Sequence, residues 1–153
     1  MGTRRREGQR RSAAAIDYGT LADLRYRLRQ FERTREVAVR AAGMAPQQYL
    51  LLLQIKGLEG RRPATIGTLA ERLQLAHHST VELVDRLVRK GMLVRLRGGH
   101  DRRLVTVVLR PAARRMLQRL AAYSLAELQS DGPALVAALR SLIRGGGGRG
   151  SAN

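Results

Sequence analysis

Residues 65–109 read TIGTLAERLQLAHHSTVELVDRLVRKGMLVRLRGGHDRRLVTVVL. Thr65 is suited to cap a short helix that ends near Leu73. Gln74 to Ala76 form a tight turn, and a second helix follows from His77 to Lys90, stopped by Gly91. Met92 to Arg97 and Leu104 to Leu109 are two short strands, with Gly98-Gly99 supplying the hairpin turn. Helix, turn, helix and basic-tipped hairpin, in that order, make a helix-turn-helix followed by a wing. Such a unit lays one helix in a major groove of DNA while the hairpin reaches the neighbouring backbone or minor groove.

Outward from this stretch the chain reads as helical. Leu21, Leu24, Leu28 and Phe31 recur at helical spacing, which predicts a long helix from about Asp17 to Ala42, with Gly43 at its end. Pro46 suits the first turn of the next helix, PQQYLLLLQIKGL, which is apolar nearly all round and is expected to be the most buried. Gly60 and Pro63 mark a loop. Pro111 opens another helix, with Met116, Leu117, Leu120, Ser124 and Leu128 near one face. Gly132-Pro133 is expected to break it, leaving a last helix over about 134–144. The expected fold is therefore mainly α with a small β-wing. A winged helix-turn-helix over about 46–110 is flanked by helices at about 17–42 and 111–144, within a single domain at 15–144. Residues 1–14 read as a disordered basic arm and 145–153, GGGGRGSAN, as a flexible tail.

Composition narrows the partner. The formal net charge is +17, from 29 basic and 12 acidic residues. Lys56 and Lys90 are the only lysines, so every other basic residue is Arg, whose fork binds phosphate and guanine edges bidentately. Codon bias accounts for Arg over Lys but not for so large an excess of charge, which calls for a polyanion. Aromatics are only 3%, too few for the stacking platforms of single-strand and RNA binders, so duplex DNA is favoured. The chain has no Cys, which excludes disulfides, thiol redox sensing and Cys-ligated zinc within it. No apolar run approaches the length of a membrane span, and the basic N-terminus lacks an apolar segment behind it. A cytoplasmic protein without a membrane partner is expected.

PQQYLLLLQIKGL, LAERLQLAHHSTVELVDRLVRKGMLVRL and DRRLVTVVL, in this order and spacing, resemble the MarR family of bacterial transcriptional regulators over about residues 17–143. The first looks like the family's second helix, the next like its helix-turn-helix running into the wing, and the last like its Asp-x-Arg wing signature. The second wing strand often ends Leu-Thr in the family but ends Leu109-Arg110 here, which adds charge. The resemblance implies a homodimer whose N- and C-terminal helices form the interface. It also implies a pseudo-palindromic promoter site, repression, and, as in many members, release from DNA by a small aromatic effector. Two-fold DNA sites also suit two-fold readers on general grounds, although helices at both ends can equally cover a monomer's own core.

Within the second helix of the motif, Val81, Leu83, Val84, Leu87 and Val88 make an apolar face too broad to be exposed. The N-terminal turn and outer face, His77, His78, Ser79, Thr80, Glu82 and Arg86, are the candidate DNA readers, with Ser79 and Thr80 suited to bases or phosphates. Glu82 either accepts from cytosine N4 or pairs with Arg86 four residues on. Asp85 is expected to orient an Arg. In the wing, Arg95, Arg97, Arg102 and Arg103 surround a Gly-Gly-His tip. The family motif makes Arg103 the candidate for the minor groove and Asp101 a wing support. Arg4, Arg5, Arg6, Arg10 and Arg11 either follow the DNA backbone or form a solubilising tail.

Other chemistry is weakly supported. His77 and His78 diverge by about 100° on a helix, so with His100 and Asp101 they make no ready metal site. No nucleophile–base pair or phosphate-cradling loop is present, so neither an enzyme nor a cofactor is expected. Tyr26, Phe31, Met44 and Tyr49 are candidate liners of an effector pocket, or plain core. Two other readings remain: an architectural protein that coats DNA without sequence preference, and a protein-interaction module that reuses the winged fold.

Overall fold

The computed structural model describes residues 16–98 and 103–145. Helix α1 runs Tyr18–Ala41. It starts where Asp17 accepts hydrogen bonds from the Thr20 amide (2.9 Å) and hydroxyl (2.6 Å), and those bonds lower the Asp17 pKa. It stops at Gly43, whose φ of +77° is a left-handed conformation costly for any residue with a Cβ.

Helix α2, Pro46–Leu58, begins with the expected Pro. The Gln48 side chain reaches back to accept from the Ala45 amide at 3.2 Å. Apolar side chains all round let α2 be enclosed by neighbours, and Leu51 and Leu52 are fully sealed from solvent. Helix α3, Ile66–Leu73, is capped by Thr65, whose hydroxyl accepts from the Thr68 amide. Gln74 takes the left-handed conformation (φ 54°) that turns the chain into α4, His77–Arg89. Strands β1, Leu93–Arg97, and β2, Val105–Leu109, pair antiparallel in the register Leu93↔Leu109 to Arg97↔Val105. The expected elements thus recur within one or two residues of their expected bounds.

The wing is rooted on two sides and closed by a bond across its own hairpin. Its first strand packs on α4, and Leu93 is wholly buried. The Gly98 amide donates to Leu104 O across the hairpin. The Val107 amide donates to Ala64 O at 2.9 Å, so the α2–α3 loop pairs with the free side of β2. One core joins Val39 of α1, Ile55 of α2, Leu69 of α3, Val84 and Leu87 of α4, both strands, and Ala113 and Leu117 beyond them.

The expectation of a break at Gly132-Pro133 is wrong. Helix α5 is continuous from Pro111 to Gly145, with Pro133 inside it, and residues 146–153 of the expected tail lie outside the described residues. Proline interrupts a helix because it lacks an amide hydrogen and crowds the preceding turn, at a cost of about 3 kcal/mol. Here α1 packs along α5, and the Tyr49 hydroxyl meets Ser124 Oγ at 3.2 Å, which ties α5 to the rest of the fold before it reaches Pro133. Pro133 is exposed and Gly132 beside it is buried. Among the described residues no helix is long and apolar enough to cross a membrane.

Candidate nucleic-acid interface

Helix α4 divides cleanly into two faces. Leu83, Val84 and Leu87 are buried, with Val81 and Val88 half-buried beside them. His77, His78, Glu82, Arg86, Arg89 and Lys90 are exposed, and Ser79 is half-buried. The N-cap, Ala76, has no side-chain oxygen, so the first amides of α4 have no side-chain cap and the positive end of the helix is open to an anion.

Thr80 is not among the readers. It is 0% exposed, and its hydroxyl donates to Ala76 O at 3.1 Å. One further residue along the first turn rotates the side chain about 100° from Ser79, onto the core side. Glu82 lies 3.6 Å from Arg86, an exposed pair four residues apart, so the surface-pair reading of Glu82 has a geometric basis. Asp85 does orient an Arg: its Oδ1 lies 2.6 Å from Arg95 Nη1, bridging α4 to β1. Arg95 is half-buried in that bridge and is a wing anchor before it is a DNA contact.

The hairpin register explains how the wing presents its charge. Leu93, Arg95 and Arg97 share one face because strand side chains alternate. Along that face exposure rises from the buried Leu93 through Arg95 to the exposed Arg97. Arg97 therefore extends beyond the Asp85–Arg95 bridge toward the tip. Arg103 is exposed in the turn two residues before β2. His100, Asp101 and Arg102 lie outside the described residues, as does the N-terminal Arg cluster. Arg89 and Lys90 extend the exposed cationic stripe begun by Arg86, three and four residues on. That spacing was available in the sequence and was missed. The surface from α4 into the wing thus carries Arg86, Arg89, Lys90, Arg97 and Arg103 against few acids.

The four candidate effector-pocket residues do not come together. Met44 and Tyr49 are buried members of the common core, Phe31 is half-buried, and Tyr26 is 65% exposed. None of them lines either of two surface depressions beside the α2–α3 loop. For Met44 and Tyr49 the plain-core reading holds, because both are less than a tenth exposed within the common core.

Residues 42–104 match the model of the MarR family. Among solved structures, MepR, a transcription regulator of the Staphylococcus aureus multidrug efflux pump MepA, is 14% identical. It superposes with a TM-score of 0.68, over 84% of this chain and 97% of that one. A point mutant of S. aureus MepR bound to an oligodeoxyribonucleotide is 15% identical, with a TM-score of 0.62 over 84% and 96% of the two chains. AbsC, a MarR family transcriptional regulator from Streptomyces coelicolor, is 16% identical, with a TM-score of 0.65 over 76% and 78%. At these identities the likeness establishes the fold. No curated protein matches the chain in sequence.

Proposed function

We propose that this chain, whose residues 42–104 match the MarR family model, is a homodimeric, sequence-specific regulator of transcription that binds double-stranded DNA. The observation that carries the reading is the exposed face of α4 with its open N-terminus, continued by the arginines of the wing. In this reading α4 enters a major groove and Arg103 reaches the adjacent minor groove, whose narrow A·T-rich form attracts Arg. His77, His78, Ser79 and Arg86 face the bases and phosphates, while Arg97, Arg89 and Lys90 hold the backbone. Repression follows if the site overlaps a promoter, and a small effector that favours another arrangement of the dimer releases it.

Dimerisation is supported by the outer helices. Tyr18, Tyr26 and Val37 on α1, and Leu125, Leu139 and Ile143 on α5, are each at least 48% exposed. So much apolar surface on two packed helices suits a second copy of the same helices.

Selection of bound sequences from random duplex DNA at near-physiological salt tests the whole reading. An enriched pseudo-palindrome, bound about 10³-fold or more above random DNA, is the expected result. Salt-sensitive binding without enrichment would replace it with the architectural reading, and no binding at low salt with the interaction-module reading. On an enriched site, Arg103→Ala is expected to weaken binding by about 1–3 kcal/mol. A loss under about 0.5 kcal/mol with the fold intact would remove Arg103 from the groove.

A further inference from the structure

Between β2 and the α2–α3 loop lies a cavity of about 390 Å³, within the range of small-molecule sites. Its floor is apolar: Ile55, Leu58, Ala64 and Val107 are each less than a tenth exposed. Thr106 and Val108, both half-buried, form one wall, and the α2–α3 loop forms the other. Strand alternation puts Thr106 and Val108 on the opposite face of the ribbon from Val107 and its partner Arg95. Residues of both ribbon faces thus border the cavity, and none of His77, His78, Ser79, Arg86, Arg97 and Arg103 lines it.

A second depression, of about 580 Å³, adjoins the first and shares Leu58, Arg61 and Arg62 with it. Its other walls are polar, with Gln54, Arg72 and Gln74 among them. The two arginines thus mark a seam between an apolar chamber and a hydrophilic one.

The electrostatics of the seam favour an anion. Of the two nearby carboxylates, Glu59 is already engaged by Arg114 (2.7 Å) and by Lys56. Those two hydrogen bonds, Arg114's the larger, hold the Glu59 carboxyl below its ordinary pKa. Glu71 meets Arg62 at 3.4 Å in an exposed and therefore weak pair. Arg72 donates to the neutral Gln54. Arg61 makes no ion pair with any of the described residues, and both it and Arg62 are exposed at the rim.

We propose that this seam binds a small amphipathic organic anion, with its apolar body in the chamber floored by Leu58 and Val107 and its carboxylate or sulfonate head on Arg61 and Arg62. An apolar body gains by displacing water from the chamber, and a planar anionic head gains charge-assisted hydrogen bonds from the Arg forks. A neutral ligand lacks the second contribution, and an inorganic anion lacks the first. The site does not depend on the DNA-binding reading. It lies at the root of the wing, against the Val107–Ala64 hydrogen bond that joins β2 to the α2–α3 loop.

The test uses the full chain and two fluorescent probes of similar apolar body, 1-anilinonaphthalene-8-sulfonate and the uncharged N-phenyl-1-naphthylamine. The sulfonate is expected to bind one per chain and to shift the backbone amide resonances of residues 58–64 and 106–108. The double variant Arg61→Gln, Arg62→Gln is expected to weaken the sulfonate about tenfold and to change the neutral probe by less than about twofold. Val108→Phe, which fills the chamber, is expected to weaken both probes. Because Val108 lies in a strand, the amide map of the unsubstituted chain stands as a measurement free of any folding defect. Equal binding of the two probes, an unchanged sulfonate affinity in the double variant, or shifts confined to α1 and α5 would overturn the proposal.

Discussion

Leu52 in α2 is 0% exposed, whereas Leu139 in α5 is 48% exposed and Ile143 beyond it 71%. The inner unit, α2 to β2, buries a set of leucines, Leu51, Leu52, Leu69 and Leu87 among them, within one chain. The outer pair, α1 and α5, packs together and still leaves apolar side chains in water. Both regions show apolar residues at helical spacing, so the spacing alone does not distinguish them. What differs is the number of neighbours. Helix α2 is packed against α1, α3, α5 and β2, while α5 has α1 as its main neighbour. A self-sufficient core and an incompletely covered helix pair are what a folding unit joined to an association surface would present.

The contrast is most sharply broken in the core. Leu52→Ala should cost about 2–5 kcal/mol of unfolding free energy, because it leaves a cavity in a sealed site. Leu139→Ala should cost well under half as much per chain, measured by denaturant titration at a concentration too low for self-association. Equal losses would show that the outer helices are as enclosed as the inner ones.

Self-association gives the next largest effect. Leu139→Arg should weaken the proposed dimer at least tenfold, read by sedimentation equilibrium, because it places an unpaired charge in the covered surface. The same substitution should hardly alter the helix content of the monomer. An unaltered association constant would place the interface elsewhere.

A smaller effect belongs to the bridge between α4 and the wing. Asp85→Asn removes the ion pair with Arg95 across a half-buried site and should cost about 0.5–1 kcal/mol. Amide exchange should quicken in β1 and β2 while α5 is unaffected. A uniform change across the chain would mean that the wing is not separately anchored by this pair.

The smallest effect lies in the outer pair and depends on pH. Glu127 Oε2 is buried without a hydrogen-bond partner among the described residues. Burial first, and the nearby Asp131 second, raise its pKa above the ordinary 4.5, against the opposing influence of Tyr123 and Arg35. A raised carboxyl pKa means that the folded chain disfavours the ionised form. The resulting penalty is fully present above the folded-state pKa. It fades as pH falls through that value and is gone below the unfolded-state value. Glu127→Gln should therefore raise the melting temperature slightly at pH 7 and not at pH 4. A gain of the same size at both would assign the effect to packing.

Much of this architecture was readable from local chemistry. Thr65 caps because its hydroxyl reaches the Thr68 amide, Gly43 and Gly91 stop helices because they accept φ near +70°, and Pro46 starts one because its missing hydrogen is not needed there. The exposed positions of α4 and the wing followed from periodicity, and the pairing of Asp85 with an Arg followed from charge. Thr80 was misplaced because a first-turn position lies near the boundary between the two faces, and the choice between them is made by the core it meets.

The sequence by itself determined the order of elements from α1 to β2 and where they stop, the basic character of the wing, and an α4 with one apolar face. Those properties depend on neighbours within about one helical turn or one hairpin, which is the range over which local signals act. Tertiary structure alone decided that α5 continues through Pro133, that Asp85 pairs with Arg95, that Met44 and Tyr49 belong to the core, and that Arg61 and Arg62 border an apolar chamber. Each of these requires segments distant in the chain to meet, and the free energy of that meeting outweighs what the local residues prefer.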